Sequence, residues 1–574
     1  MGIHEKAVKY FVVNVKNIRY NNTITRNGKE WHVMGVYLNS ETAYTLFKRE
    51  AAKPYFVDKS KMLTDLFAPV GEGSNYVCIT RPRRFGKTVM ANMITSFFSK
   101  AVDAGEIFQN LRVARHEEYK NYLNRYPVIH ISFSDTEEQC SSYSQYISWI
   151  LKNLINDIKE EYPVIEQEDS ESAIGILTNL FAKDSTAEFI FILDEWDFIF
   201  HQSYVSEEDK QSYLTFLRSL LKDRPYVRFA YMTGILPIAK YSSGSELNMF
   251  EEYTMVTEEM YSDYFGFTES EVDELFERYQ NRKTGHQKIT REGLKYWYNG
   301  YHTSSGERLY NPRSVVLSLK NNNFGNYWTS SGPYDEIFYY IEKNVAAVRD
   351  DLALMISGIE VPMEIWEYAA TSMNLETKEE IFSAMVVYGF LSYENGNVYI
   401  PNKELMNKFS QLLQKEPSFD YVYRLANESK RMLQATLHGD TDTMAEILEW
   451  AHNTEVPLLS YNHETELTAI VNLVYLAARS TYRVEREDKG GIGYVDVIFY
   501  PETNPAADCI ILELKVDATP EAAIKQIKEK KYALRFQGKL GEKSRYTGRI
   551  LAVGISYDKT KKTHRCVIEV LGRF

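Results

Sequence analysis

The chain has 574 residues, 44% of them hydrophobic and 25% charged, with a formal net charge of −13. That length supports three or four domains with sizeable cores, and the acidic balance argues against a general nucleic-acid coat. No run approaches 18 uninterrupted apolar residues and no basic-then-apolar pattern opens the chain, so neither a membrane span nor a secretory leader is expected; four scattered cysteines without a C-x-x-C pair argue against structural zinc and fit a reducing cytoplasm.

Residues 1–33 read as an N-terminal extension, with a β-like stretch over Tyr10–Val15 and an Asn21-Asn22-Thr23 turn, fitting an added hairpin or a loose arm. The patterned sequence begins at Met34, expected near the structural start and an alternative translation start. Over 34–265 strands alternate with helices, the pattern of a parallel sheet with helices on its faces. Expected strands are Val77–Thr80, Val128–Ser132, Phe189–Leu193 and Arg228–Met232. Expected helices include Gly86–Phe98, Ser142–Glu161 and Tyr204–Lys222. An acidic loop follows His130–Ser134, a common place for substrate-side elements.

The stretch Val77–Met90, VCITRPRRFGKTVM, reads as a buried strand, a tight turn and a helix opened by Gly86-Lys87-Thr88. A phosphate-binding loop needs those residue types: backbone N–H groups cradle phosphates, a Lys reaches the β/γ-phosphates and a Thr hydroxyl ligates Mg²⁺. The match is incomplete, because Arg81 stands where the pattern has its first Gly. Arg83 and Arg84 either add charge to the phosphate site or face solvent and nearby acids. Further on, Phe189–Leu193 is apolar without alternation, as a strand buried on both faces should be, and ends in Asp194-Glu195. Beside a phosphate loop, Asp194 would position Mg²⁺ and Glu195 would polarise the attacking water; the plain alternative is a strand followed by a solvated acidic turn. The strand Val227–Ile235 carries Thr233, either a sensor of the γ-phosphate or an ordinary strand end.

Over 266–425 the pattern is mostly helical. A helix should start at Pro312 after Tyr310-Asn311, and a further helix over Lys378–Val387 precedes strands at Phe390–Tyr393 and Val398–Pro401 joined by the tight turn Glu394-Asn395-Gly396-Asn397. Helix plus hairpin resembles a winged-helix module, read here as a lid or packing element, with DNA binding the alternative.

In 426–574 two strands carry chemistry: Gly493–Tyr500, with Asp496 inside it, and Asp508–Lys515, ending in Glu513-Leu514-Lys515. Residues two apart on a strand share a face, so Glu513 and Lys515 stand side by side, opposite Asp496. This is the D…(D/E)-x-K arrangement of a Mg²⁺ site with a water-activating Lys, though a Glu–Lys pair on one strand face is also an ordinary salt bridge. A helix over Asn462–Arg479 carries Glu464 and Glu466 as further ligand candidates, beside His463; a helix over Glu521–Leu534 carries Gln526 and Tyr532. From Lys515 to Phe574, Lys and Arg outnumber Asp and Glu 15 to 6, which is compatible with local nucleic-acid contact or with a solvated Lys-rich face.

These residues together resemble a family of bacterial AAA-ATPase-like proteins with a C-terminal PD-(D/E)XK nuclease-like domain. The likeness is carried by Met34–Asn39, Tyr55–Lys59, the string Arg81-Pro82-Arg83-Arg84-Phe85-Gly86-Lys87-Thr88, Leu193–Glu195, Thr233–Ile235, Trp297–Tyr301, Tyr310–Pro312 and the C-terminal cluster. It implies a P-loop parallel-sheet domain, a winged-helix-like middle and a restriction-endonuclease-like α/β domain. It also implies ATP and Mg²⁺ as cofactors, nucleic acid as partner and a homo-oligomer. Some relatives pair Gln and Tyr four residues apart near the nucleic acid; here that position is Lys530. Two functions stand: an ATPase coupled to a Mg²⁺-dependent nuclease, or a nucleotide switch whose nuclease-like domain only binds.

Overall fold

The computed structural model describes residues 24–26, 29–31, 35–73, 75–136, 140–163, 172–238, 246–255, 260–282, 287–303, 306–329, 335–365, 375–453, 464–489, 494–502, 504–536 and 546–573. Tyr10–Val15, the Asn21–Thr23 turn, Met34, His463 and the side chains of Glu464 and Glu466 lie outside the described part. Two compact units result: one from Met1–Cys78, Thr88–Thr233 and Glu246–Glu251, the other from Ile79–Lys87, Gly234–Ser245 and Glu252–Phe574.

The first unit opens with a short antiparallel hairpin, β1 (Ile24–Arg26) and β2 (Lys29–Trp31). Its main sheet has the order β4-β5-β6-β3-β7, with β3 Asn75–Thr80, β4 Val128–Ser132, β5 Phe189–Asp194, β6 Val227–Gly234 and β7 Glu251–Tyr253. The pairs β4–β5 and β5–β6 are parallel, as the alternation of strand and helix requires. All of β5 is buried, which its unbroken apolar run anticipates. Helices Lys87–Phe98, Tyr143–Glu161 and Glu207–Leu221 fall close to expectation. The last starts three residues late because Ser206 and Asp209 form a capping box that fixes its first turn. The segment after Gly35 lies along β4, where Leu38 bridges Ile129. Buried Asp157 holds it there by accepting the N–H groups of Val36, Tyr37 and Leu38 at 2.6–3.0 Å. Gly35 permits that approach, since a Cβ there would lie 2.4 Å from Asp157 Cγ.

Among the described residues the second unit contains two small sheets and a large one, with helices between them. β8 (Tyr301–His302) pairs with β9 (Arg308–Leu309), and helix Pro312–Asn321 starts at its proline under an Asn311 cap. Helix Lys378–Val387 precedes the hairpin β11 (Ser392–Glu394) and β12 (Asn397–Tyr399), which β10 (Val361–Pro362) joins, so the helix-plus-hairpin arrangement forms. Asn395 and Gly396 take positive φ of 50° and 82°, as a two-residue Asn-Gly turn demands. The large sheet runs β13-β14-β15-β16-β17, with β13 Tyr482–Lys489, β14 Tyr494–Pro501, β15 Cys509–Val516, β16 Arg549–Asp558 and β17 Thr563–Arg573. It is mixed: β15–β16 is parallel and the other pairs are antiparallel.

Two helices differ from expectation, the first being Asn462–Arg479, which among the described residues is α-helical over Glu464–Val474 and is followed by a 3-10 turn over Leu476–Ser480. The run Glu521–Leu534 ends as a helix at Glu529, Lys531 turns left-handed at φ 53°, and a short 3-10 turn follows over Tyr532–Phe536. On a continued helix Lys531 would fall on the buried face set by Pro520, Ala523, Ile524 and Ile527, and Tyr532 would fall off it. The break leaves Lys531 exposed and drives Tyr532 and Phe536 into a core with Ile498, Ile511, Ile524 and Ile527.

Candidate functional site

The phosphate-loop residues sit in a turn between β3 and the helix that begins at Lys87. Gly86 has φ +98°, a conformation that excludes other residues on backbone grounds, since a Cβ there would meet open space. Arg84 is also left-handed, at φ +70°. The helix offers the N–H groups of its first turn at this point, together with the positive end of its dipole. Lys87 is 8% exposed, and its Nζ donates to the carbonyls of Arg81 at 2.9 Å and Pro82 at 3.1 Å. Arg83 is half-buried, while Arg84 and Thr88 are exposed. Arg81 is buried in place of the missing glycine: its Nη1 donates to the carbonyls of Thr80 and Tyr253, each at 2.8 Å.

In the first unit, Asp194 ends β5 in register with Ser132 of β4 and Thr233 of β6. Asp194 and Thr233 are both buried, at the carboxyl ends of parallel strands where α/β folds place their ligands. Asp194 Oδ1 accepts the Glu195 N–H at 3.1 Å, and Trp196 N–H reaches back to the Thr233 carbonyl at 3.2 Å. Between them Glu195 is forced to φ +53°, which costs a non-glycine residue roughly 1–2 kcal/mol. Asp135, from the acidic loop after β4, faces the same place: burial and then the Glu195 charge push its carboxyl above the usual range. The sequence pointed to that loop without singling out Asp135.

The C-terminal cluster is built on β14, β15 and the helix Pro520–Glu529. Glu513 and Lys515 share a strand face, with Lys515 Nζ 3.0 Å from Glu513 Oε1. Asp496 stands next to them, its Oδ2 accepting the Leu514 N–H at 2.6 Å. Gln526 Nε2 also donates to Glu513 Oε1, and the Gln526 amide hydrogen-bonds Tyr532. The helix break at Lys531 therefore brings Tyr532 to Gln526 from six positions on, a juxtaposition that helical spacing could not reveal. Glu513 is 2% exposed; burial and the Asp496 charge push its carboxyl up to about 7, against the pull of Lys515. Its second oxygen, Oε2, is buried without a hydrogen-bond partner. A buried, partnerless carboxylate oxygen beside a second carboxylate suits a hard divalent cation. Among the described residues no group of three or more His, Cys, Asp or Glu is placed to hold a metal, but Mg²⁺ characteristically keeps several waters and takes only one or two carboxylates. The residues present fit such an ion.

The excess of C-terminal cations is partly cancelled by pairing. Lys528 meets Glu569 at 2.6 Å, Arg565 meets Glu521 at 3.1 Å, and Lys525, Lys559 and Lys561 pair with Glu529, Asp517 and Asp558 at 3.5–3.6 Å.

An α/β sheet with parallel pairs and the Gly86-Lys87-Thr88 turn at one of its helices, in one chain with a mixed sheet bearing an Asp, a Glu and a Lys, has the elements of an ATPase-like domain and a nuclease-like domain. Residues 44–243 match the model of the AAA-ATPase-like family, described as a predicted AAA-ATPase, and residues 464–565 match that of the PD-(D/E)XK nuclease superfamily. Among curated proteins the chain is similar to an uncharacterised protein from the vnfD 5′ region of Azotobacter chroococcum mcd 1, 27% identical over 297 residues. That match covers 50% of this chain and 52% of the relative, so the chain spans about half the length of the curated relative it matches. Among solved structures it is similar to a Walker-type ATPase of Pyrococcus abyssi, at 12% identity and a TM-score of 0.35, over 60% of this chain and 93% of that one. It is also similar to the ORC2 protein of Aeropyrum pernix, solved as ADPNP–ADP complexes, at 12% identity and a TM-score of 0.30, over 67% and 96% of the two chains. Among the described residues no helix is long and apolar enough to cross a membrane.

Proposed function

We propose that this protein is an ATPase coupled to a metal-dependent nuclease that acts on nucleic acid. The observation that carries the reading is the C-terminal cluster, where Asp496, Glu513 and Lys515 converge and Glu513 Oε2 is buried without a partner. Asp496 and Glu513 would hold a divalent cation, Mg²⁺ or Mn²⁺. When bound, such an ion supplies the charge that polarises a phosphodiester and acidifies water. Lys515, fixed by Glu513 at 3.0 Å, orients the attacking water or takes its proton. Gln526 holds Glu513 Oε1 from the helix side, and Oε2, without a hydrogen-bond partner, would be the oxygen to hold the ion.

In the same reading Gly86, Lys87 and Thr88 bind the phosphates and Mg²⁺ of ATP, with Arg83 and Arg84 adding charge. Asp194 orders the Mg²⁺ shell, Glu195 polarises the hydrolytic water and Thr233 senses the γ-phosphate. Self-association into a homo-oligomer and a cytoplasmic setting belong to the same proposal; all four cysteines are thiols rather than disulfides, which suits a reducing compartment. The competing reading, a nucleotide switch that only grips its partner, is favoured by one observation: Glu513, Lys515 and Gln526 satisfy one another as a structural salt bridge also would.

The test is incubation of purified protein with plasmid and single-stranded DNA, with and without Mg²⁺, Mn²⁺ and ATP. Cleavage that needs the metal and disappears in Asp496→Ala supports the nuclease. No cleavage of DNA or RNA under any of these conditions, or cleavage undiminished in Asp496→Ala, moves the protein to the switch.

A further inference from the structure

Arg81 occupies the position at which a phosphate loop ordinarily needs glycine for a tight turn. It is among the largest fully buried side chains of the protein, at 1% exposure. A guanidinium is costly to bury, so its surroundings should show what it does. Its Nη1 bridges the carbonyls of Thr80 and Tyr253, both at 2.8 Å, and its Cζ lies 5.2 Å from the centre of the Phe265 ring. The Arg81 N–H is tied as well, donating to the Gly234 carbonyl at 3.1 Å. Backbone and side chain of this one residue are therefore both fixed. The consequence falls on Lys87, because the carbonyls of Arg81 and Pro82 both accept from its Nζ.

Pro82 is braced from a second direction. Gly389, with φ +79°, lies so close that a Cβ there would come within 2.7 Å of Pro82 Cβ. The loop's far end is held too: Phe85 packs edge-on against Tyr301 at 5.0 Å, and its carbonyl accepts the Gly266 N–H at 3.1 Å.

We infer that Arg81 is a positioning residue for nucleotide binding: by pinning the loop entry it fixes the Arg81 and Pro82 carbonyls, and these aim the Lys87 ammonium. Proline and a buried arginine then replace the conformational role of the missing glycine. The inference rests on the reading that Lys87 engages nucleotide phosphates. Gly389, more than three hundred residues along the chain from that lysine, helps to set the lysine's aim through Pro82.

The test is a double-mutant cycle on the full chain, read by calorimetric ATP affinity, with melting temperature recorded for every variant. Arg81→Met should weaken ATP binding roughly tenfold or more, the scale expected when a charge-assisted hydrogen bond to the nucleotide is no longer made. Arg81→Lys keeps the charge without the planar fork and should fall between, which serves if the methionine variant does not fold. Gly389→Ala pushes Pro82 from outside and should weaken ATP binding in the same way. In a Lys87→Ala background, Arg81→Lys and Gly389→Ala should each change affinity by less than about twofold, because the group they aim is gone. A purely structural role predicts instead that the losses add. Additive losses, or loss in Lys87→Ala with wild-type affinity in Arg81→Lys and Gly389→Ala, overturn this inference alone. ATP affinity unchanged in Lys87→Ala overturns the nucleotide-site reading and this inference with it.

Discussion

Replacing Glu513 with Gln should make the metal-free protein more stable while removing its response to divalent cations. Burial and Asp496 raise this carboxyl from an ordinary 4.5 to about 7, which corresponds to about 3 kcal/mol against the ionised form. Because the folded group titrates above the unfolded one, folding takes up a proton in this window. The stabilisation is full below about pH 4.5, and it declines as pH rises and is gone above about 7. At pH 8 without metal the wild type therefore carries a disfavoured charge. That penalty is already net of the Lys515 pull; Glu513→Gln removes the charge but puts an amide N–H group where the unpartnered Oε2 stood, an unpaired buried donor that offsets part of the gain, so a net increase of about 1–2 kcal/mol is expected. With Mn²⁺ at one hundred times its dissociation constant, the wild type should gain about 2.7 kcal/mol and the variant close to nothing. Thermal melts at pH 8, in EDTA and in Mn²⁺, read both effects. A variant that melts below wild type in EDTA yet keeps the Mn²⁺ shift would refute the reasoning, since Glu513 would then be neither desolvated nor a ligand.

Other outcomes follow from the same geometry. Lys87→Ala should lower ATP affinity at least about tenfold by calorimetry, and should also lower the melting temperature, because the Arg81 and Pro82 carbonyls lose their buried donor. Glu195→Gln should still bind ATP while hydrolysis drops; a wild-type hydrolysis rate would assign the water-polarising role elsewhere. Lys515→Ala should leave Mn²⁺ binding largely intact while cleavage falls by roughly 10²–10⁴. Burial and the neighbouring His452 push His564 down to about 3, so its neutral form is built into the fold. Its stabilising effect is full above about pH 6.5 and falls by about 1.4 kcal/mol per pH unit below that. Urea midpoints at pH 7 and 5.5 should show a smaller acid loss in His564→Gln than in wild type.

Local pattern made the skeleton of this protein legible. An apolar run without alternation marked β5 as fully buried, and Asn-Gly marked the hairpin between β11 and β12. Pro312 after Asn311 marked a helix start to the residue. Such features need only neighbours in the chain. What stayed hidden depends on partners far away. The missing glycine at position 81 looked like a defect of the phosphate loop, because nothing nearby signals that Tyr253 and Phe265 enclose an arginine there. Likewise Gln526 and Tyr532 sat at the wrong spacing for one helix face. Only the demand to bury Tyr532 and Phe536 breaks the helix at Lys531 and brings the pair together.

Charge was the least legible quantity. A count of 15 cations against 6 acids from Lys515 to Phe574 treats each side chain as independent. In the fold Lys528 finds Glu569 and Arg565 finds Glu521, each pair bridging distant stretches of chain. Exposed pairs of this kind contribute little to stability, but each one removes a cation from the set that can release counterions from a nucleic acid. A strongly salt-dependent grip therefore does not follow from the composition of this region. Recognition would rest instead on the few groups gathered around Glu513, where burial rather than net charge sets the chemistry.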